Sequence, residues 1–392
     1  MFLYWAMMLS VSGMYTMYIA EVGFSKKEIG IAVTILTLSA LIGQNAFGYF
    51  VDRFRRIKKI LFLSISIGII VAMLLMFATS SWQVNLLIFL WGFFIYGTVP
   101  LTEVWCIESL KAANELNNFG KIRGFGSIGY GFSGVLIGLL LQFFGWKIYY
   151  WYILLGVCFT LLSIYAVGEK KEAAEFIDTN KANRASKEIS TRQAFKEIIR
   201  IKPLVSMIII IFIYTFVIKG IYSYLGVLIG DYGGGPLSLG LTYFFDAAPE
   251  VVTFFLTARL LRRFHSTRLI FVAFLLQILR LSLILVFNSA LAVILLGPLS
   301  GFAYGLLASS YKTFMYELAP EKYKASCMSL CETIIGLSGV ISAPIFGLIF
   351  AEFGGNAAIA TGLVIYIVSA LAILWDFNKE KQVVKINSES QI

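Results

Sequence analysis

The chain has 392 residues, 59% of them hydrophobic and only 14% charged, with mean hydropathy +0.84 and net charge +10. This excludes an ordinary soluble domain and points to a polytopic membrane protein, in which runs of about 20 apolar residues each span roughly 30 Å of hydrocarbon. The positive charge does not indicate nucleic acid, because the basic residues sit in short loops between apolar runs and not on a polar domain. A single histidine, His265, and four cysteines in apolar runs leave no disulfide framework and little room for zinc or histidine chemistry. Cys327 and Cys331 share a helix face without a histidine or third thiol nearby, so they read as packing residues.

Twelve spans are predicted: 1–20, 29–51, 60–79, 84–110, 122–144, 147–167, 204–228, 239–261, 269–287, 290–313, 326–350 and 356–375. The first has neither a basic n-region nor a small-residue cleavage site and reads as a span, not a signal peptide, although a cytoplasmic lead would ordinarily precede it. Of 32 Lys and Arg, only Lys26, Lys27 and Lys147 fall in odd-to-even loops, and Lys219 and Arg280 lie inside spans, leaving 27 on the other side. The positive-inside rule makes that side cytoplasmic, with both termini inside. Residues 168–203 form the one long polar segment and divide the spans six and six. Within it, TRQAFKEIIR has the pattern of an amphipathic helix that Arg192, Lys196 and Arg200 would hold near anionic lipid, with a solvated linker as the alternative. The tail, 376–392, is polar and expected to be disordered.

The halves repeat. FGYFVDRFRRIKKILF follows span 2 and LTARLLRRFHSTRLIF follows span 8; FSGVLIGLLLQFFGW in span 5 echoes LSGVISAPIFGLIFAEFGG in span 11. Offsets near two hundred residues argue for two homologous bundles, 1–167 and 204–375. The fold expected is an all-α membrane protein of twelve helices in two pseudo-symmetric six-helix bundles.

The most informative stretch is 100–134, PLTEVWCIESLKAANELNNFGKIRGFGSIGYGFSG, where two apolar helices meet at a polar turn. Glu103 and Glu108 lie in the first helix and Arg123 at the start of the second. Each charge facing hydrocarbon would cost about 2.5 to 3.5 kcal/mol, so they are expected to pair or to line a watered cavity. Arg123 follows the turn by only a few residues, so depth favours Glu108 over Glu103 as its partner. Glycines 124, 126, 129, 131 and 134 give the second helix a surface for close packing. The second half carries Lys219 in span 7, Asp246 and Glu250 in span 8, Arg280 in span 9 and Glu332 in span 11. Asp246 and Glu250, four apart, share a helix face, and two carboxylates so close in low dielectric do not both ionise cheaply. With Glu103, Glu108 and Arg123, the interior holds five acids against three bases, so neutrality would need about two bound protons or cations. The alternative for Asp246 is an outward-facing position, and for Lys219 snorkelling.

Pro100-Leu-Thr-Glu103, Gly120-Lys-Ile-Arg123-Gly-Phe-Gly-Ser-Ile-Gly-Tyr130 and Gly48-Tyr-Phe-Val-Asp52-Arg53-Phe-Arg55-Arg56 together resemble the signatures of the major facilitator superfamily, in its lactose permease and phenylpropionate permease branch. The resemblance implies that Glu103 and Arg123 hold substrate hydroxyls or a carboxylate and that Tyr130 stacks on a ring; a structural ion pair is the plainer alternative. It also implies that Gly48 lets a helix approach while Asp52, Arg53 and Arg56 lock a gate. Arg280 then matches the branch's functional arginine and Glu250 its span-8 glutamate. Span 10 departs from lactose permease, with Ser300 and Ala303 in place of its proton-transferring histidine and glutamate, so lactose is not the expected substrate. Any proton path would run through Glu250, Asp246 or Glu332. Tyr15, Tyr18, Trp105, Tyr130, Tyr222 and Tyr304 are the aromatic candidates for the cavity.

The function expected is transport, not enzymatic catalysis. A monomer in the lipid bilayer of the cytoplasmic membrane would move a small polar solute by alternating access. The solute would be a sugar or glycoside, an aromatic acid or a nucleoside. Transport would be driven by a proton gradient without a bound cofactor. Proton-antiport efflux of drugs or metabolites is the alternative, although span 5 lacks the proline of many efflux motifs. A membrane sensor would need a soluble domain, which no segment is long enough to form.

Overall fold

The computed structural model describes residues 1–54, 56–78, 80–113, 115, 119–167, 198, 200–319 and 324–389. Among them every regular element is helical. Among the described residues nine stretches are long and apolar enough to cross a membrane, the last of them running from Leu330 to Leu374. That stretch divides at Gly354, whose φ of 82° no helix carries, into spans 11 and 12. Span 1 (Phe2–Ser12 with Tyr15–Glu21) and span 8 (Pro236–Leu261) complete twelve. The remaining spans are Lys26–Phe54, Ile57–Leu75, Ser81–Ala112, Phe119–Phe144, Trp146–Ala166, Lys202–Asp231, Ser266–Phe287 and Ala290–Leu318 for spans 2–7, 9 and 10. Lys324–Glu389 is helical beyond the membrane, where the sequence reading expected a disordered tail; residues 376–389 contain no glycine or proline to stop it. Residues 168–197 and 199, with most of the expected amphipathic helix, lie outside the described residues.

Four spans are interrupted at mid-depth: span 1 at Gly13–Met14, span 4 at Tyr96–Thr98, span 7 at Tyr224 and span 10 at Leu296. They are the first and fourth span of each bundle, so the interruptions obey the same internal repeat as the loop motifs. Freed backbone groups at this depth require partners. Tyr243 Oη of span 8 donates to the Gly13 carbonyl at 3.2 Å, and Tyr224 Oη donates to the Ala343 carbonyl at 2.7 Å.

The bundles meet along span 5 against span 8 and span 2 against span 11. Span 5 uses its glycines on two faces. A Cβ at Gly126 would lie 2.5 Å from the Trp5 ring of span 1, and Gly129 packs on the Phe2 backbone, whereas 131, 134 and 138 face span 8. On that second face the gap widens along the helix. A Cβ would find span 8 within 2.8 Å at Gly138, 2.9 Å at Gly134 and 3.2 Å at Gly131, but only at 3.8 Å at Gly124. The halves form a wedge, tight at the odd-to-even loops and splayed at the other end. At the tight end Lys26 Nζ reaches Asp231 Oδ2 of the opposite bundle at 2.6 Å, and a Cβ on Gly347 would lie 3.3 Å from the Gly30 Cα.

Candidate functional site

Between the bundles lies a cavity of about 330 Å³. The interrupted spans supply much of its wall: Ser12, Tyr15 and Thr16 at the break in span 1, Tyr96 at that in span 4, and Tyr222 and Ser223 beside that in span 7. Span 2 adds Thr37 and Gln44, span 5 Tyr130, span 7 Lys219 and span 8 Tyr243. The polar part of the lining is hydroxyl groups with one amide and one ammonium; tyrosine rings, Leu36, Ala40 and Leu41 make the rest largely apolar, and the volume is in the size range of a ligand pocket. Of the aromatic candidates named from sequence, Tyr15, Tyr130 and Tyr222 line it. Tyr18 instead packs on Trp146, Tyr149 and Tyr150 inside the first bundle, and Trp105 packs against the cluster around Leu101. Tyr304 is exposed on span 10 and does not contribute to this wall. Ser12, Thr37, Gln44, Tyr96 and Tyr243 carry no signal in sequence beyond being polar or aromatic in an apolar run.

On the first bundle, Arg123 Nε donates to Glu103 Oε1 at 3.1 Å, which answers the choice between Glu103 and Glu108 for this conformation. The guanidinium lies 4.4 Å from the Trp5 ring centre, a cation–π contact that the sequence reading missed. Trp5 meets Tyr130 edge-on at 6.3 Å, and Tyr130 meets Tyr243 at 5.7 Å and 85°, so an aromatic row runs from the ion pair across to the second bundle. The Trp5 indole N–H is buried without a protein partner. The pair itself is part-exposed, with 24% of the Arg123 side chain and 39% of the Glu103 side chain open. Glu108 is half-buried and forms no ion pair among the described residues.

On the second bundle, Arg280 is 1% exposed and its Nη2 stands 3.9 Å from Asp246 Oδ1. Tyr222 Oη donates to Asp246 Oδ2 and is 2.8 Å from Ser300 Oγ, and Gln277 Nε2 bridges Ser300 Oγ at 3.3 Å and Tyr214 Oη at 3.1 Å. In this conformation the guanidinium meets Asp246, one turn nearer the tight end, and not Glu250. Glycines explain the reach: a Cβ at Gly297 would sit 2.9 Å from Asp246 Oδ1, so span 10 offers bare backbone where a side chain would displace the carboxylate. Glu250 makes no ion pair within 4 Å among the described residues, and Pro249 lies between the two acids inside the continuous helix of span 8. Glu332 is held by Lys312 at 3.6 Å and accepts from Tyr311 Oη at 3.2 Å, a pairing absent from the sequence-level charge balance, which omitted Lys312. Lys219 donates to the Ile335 carbonyl at 2.6 Å.

The gate motif lies at the splayed end. A Cβ at Gly48 would meet nothing within 4 Å, so among the described residues no helix approaches it in this conformation. Arg53 and Arg56 are exposed, while Arg55 and the side chain of Asp52 lie outside the described residues.

The model of the MFS_1 like family matches residues 1–361. A maltose permease of Geobacillus stearothermophilus is 20% identical over 314 residues, covering 80% of this chain and 76% of that protein. Among solved structures, a mutant of the nucleoside transporter NupG superposes with a TM-score of 0.80 at 14% identity, over 95% of this chain and 96% of that one. A D-xylose-proton symporter superposes with a TM-score of 0.69 at 15% identity, over 95% and 94%. At these identities the superpositions establish the fold, two packed bundles of transmembrane helices, and nothing finer.

Proposed function

From the premise that this chain belongs to the MFS_1 like family and is a multi-pass membrane transporter, we propose that it carries a small hydroxylated solute across the cytoplasmic membrane by alternating access, in symport with protons. The observation that carries this reading is the cavity: it lies at the seam of the two bundles, is lined from both, and is closed at one end by contacts that cross the seam. A site shared by two rocking bodies is exposed to each side in turn. The loop charges make the tight end extracellular, so this conformation faces the cytoplasm. Rows of hydroxyl groups beside rings suit a sugar, a glycoside or a nucleoside, and the names of the superposable transporters point the same way. One chain contains the whole cavity, so a monomer suffices. Tyr130 of the cavity wall leads through Trp5 to Arg123 and Glu103, which lie outside the lining and would supply donor and acceptor to a solute that reaches past the ring.

Coupling is assigned to span 8. Asp246 has its counter-charge in Arg280, whereas Glu250 has none within 4 Å among the described residues, and a carboxylate without a contact partner is accommodated most cheaply with a proton bound. Pro249 between them lets the lower part of span 8 swing separately, so Glu250 is the group whose surroundings change as the bundles rock. Glu250→Gln retains volume and hydrogen bonding but cannot titrate. In proteoliposomes it should lose uphill accumulation driven by a pH gradient and keep counterflow exchange. Accumulation that survives in Glu250→Gln would move the role to Asp246 or Glu332.

A further inference from the structure

Three ion pairs lie among the spans, and of the charged groups left outside them, Glu108, Glu250 and Lys219, only Lys219 is a cation. Arg123 has Glu103, Arg280 has Asp246 and Lys312 has Glu332. Lys219, in span 7, lines the cavity and has no carboxylate within 4 Å among the described residues. Its one hydrogen bond goes to the Ile335 carbonyl, which occupies one of three ammonium donors. Glu332 lies one turn before Ile335 on the same span, yet its carboxylate is taken by Lys312 and Tyr311. The side chain lies along span 11 at Gly339, where a Cβ would lie 2.9 Å from the lysine Cδ and 3.5 Å from its Nζ. That glycine leaves the stem a groove along which the charged end reaches the cavity. A cation placed among membrane spans and aimed into a cavity without a fixed counter-ion is expensive to maintain, and such groups mark ligand or ion pathways.

We infer that the cavity takes a solute bearing a carboxylate as well as hydroxyl groups, and that Lys219 is the group that holds the carboxylate. This rests on the transporter reading and deepens it. Arg123, which sequence alone offered for that task, already has its acid, so the anionic end of the solute belongs at the opposite corner, where spans 2, 7 and 11 meet. Thr37 of span 2 stands at the same corner with its hydroxyl donating to the Val33 carbonyl, and Gln44 further along the span lines the same cavity with an amide that can donate. The hydroxylated end then extends toward Tyr222 and Tyr130. A volume of about 330 Å³ limits the solute to roughly one ring with its substituents.

The test uses the full-length protein in detergent. Melting temperature is read without solute for the parent, K219Q and K219M, and then with matched pairs of equal size: D-glucuronate against D-glucose, and 4-hydroxyphenylacetate against 4-hydroxyphenylethanol. Expected are ligand-free variants that melt no lower than the parent, because a counter-ion-free charge has been removed. At least one acid should stabilise the parent where its neutral partner does not, with apparent affinity at least tenfold weaker in K219Q. A lower melting temperature in both ligand-free variants would make the ammonium a strut between spans 7 and 11 and overturn the inference. No stabilisation by either acid would also overturn it. So would neutral solutes that bind parent and K219Q equally, a result that leaves the transporter reading standing. Failure of that reading is seen separately, as proteoliposomes in which parent and variants alike exchange none of the four solutes.

Discussion

The contact between Lys26 and Asp231 makes a quantitative demand on the transport cycle. It joins the first loop of one bundle to the span 7–8 connection of the other at 2.6 Å, so it exists only while the tight end is closed. The two side chains are 40% and 33% exposed, so the full Coulomb energy of a contact pair must be discounted for water, leaving about 0.3 to 1 kcal/mol. Asp231→Asn should therefore raise the population open at that end by only about two- to fivefold, at 1.4 kcal/mol per tenfold. Thr16, 3% exposed beneath the latch, reports the opening: a cysteine there should be alkylated from the extracellular side about two to five times faster in Asp231→Asn. The excess should shrink as ionic strength rises, because the Debye length falls from about 10 Å at 0.1 M to about 3 Å at 1 M salt. Exchanging the charges, Lys26→Asp with Asp231→Lys, should restore the slower rate. An unchanged rate in Asp231→Asn, or a double exchange that opens the end further, would refute the latch.

Other expectations follow from the two buried sites and the loops. Arg123→Ala should lower specific uptake at least tenfold while expression and melting temperature hold, since a part-exposed pair contributes about 0 to 1 kcal/mol to stability; normal uptake would reduce the pair to a structural contact. Arg280→Met should destabilise the protein by about 3 to 5 kcal/mol by stranding Asp246, and adding Asp246→Asn should recover part of that in thermal melts. A single cysteine at Ser186 in the linker should resist membrane-impermeant reagents applied to intact cells, and labelling there would reverse the orientation read from loop charge.

Span number and the repeat of the halves were legible because they depend on composition averaged over about 20 residues. The four interruptions were not, because Gly13–Met14, Tyr224 and Leu296 sit inside apolar runs and alter one or two hydrogen bonds without altering hydropathy. Pro100 and Pro298, each at the start of a resumed helix, were the available signals for two of them. Glu103 and Arg123 were found because a charge in an apolar run is conspicuous. Trp5, which completes their site, was invisible because tryptophan is an ordinary residue in a span. Span 8 shows a different limit. Period 3.6 places Asp246 and Glu250 on one face, but which acid reaches Arg280 depends on how closely span 10 packs, and that is decided by Gly297 and Gly301.

The two ion pairs differ in burial, and that difference assigns them different work. Arg123 and Glu103 are wet enough that separating them costs little, so a solute hydroxyl can replace either partner without a large barrier. Arg280 and Asp246 are dry: Arg280 Nε and Nη1, Asp246 Oδ1 and Gln277 Oε1 have no hydrogen-bond partner, and any move that leaves one charge behind meets the full cost of an unpaired ion. Such a pair resists opening to a solute but is sensitive to a change in charge next to it. Glu250, one turn away on the same face, is that neighbour. Under the proposed function, binding would then sit where electrostatics are screened, and coupling where they are not. The aromatic row from Trp5 through Tyr130 to Tyr243 crosses the seam between the two sites, so a solute seated on it touches both bundles at once. Rocking of the bundles must then break that row or carry the solute with it, which ties the position of the substrate to the state of the carboxylates without any direct bond between them.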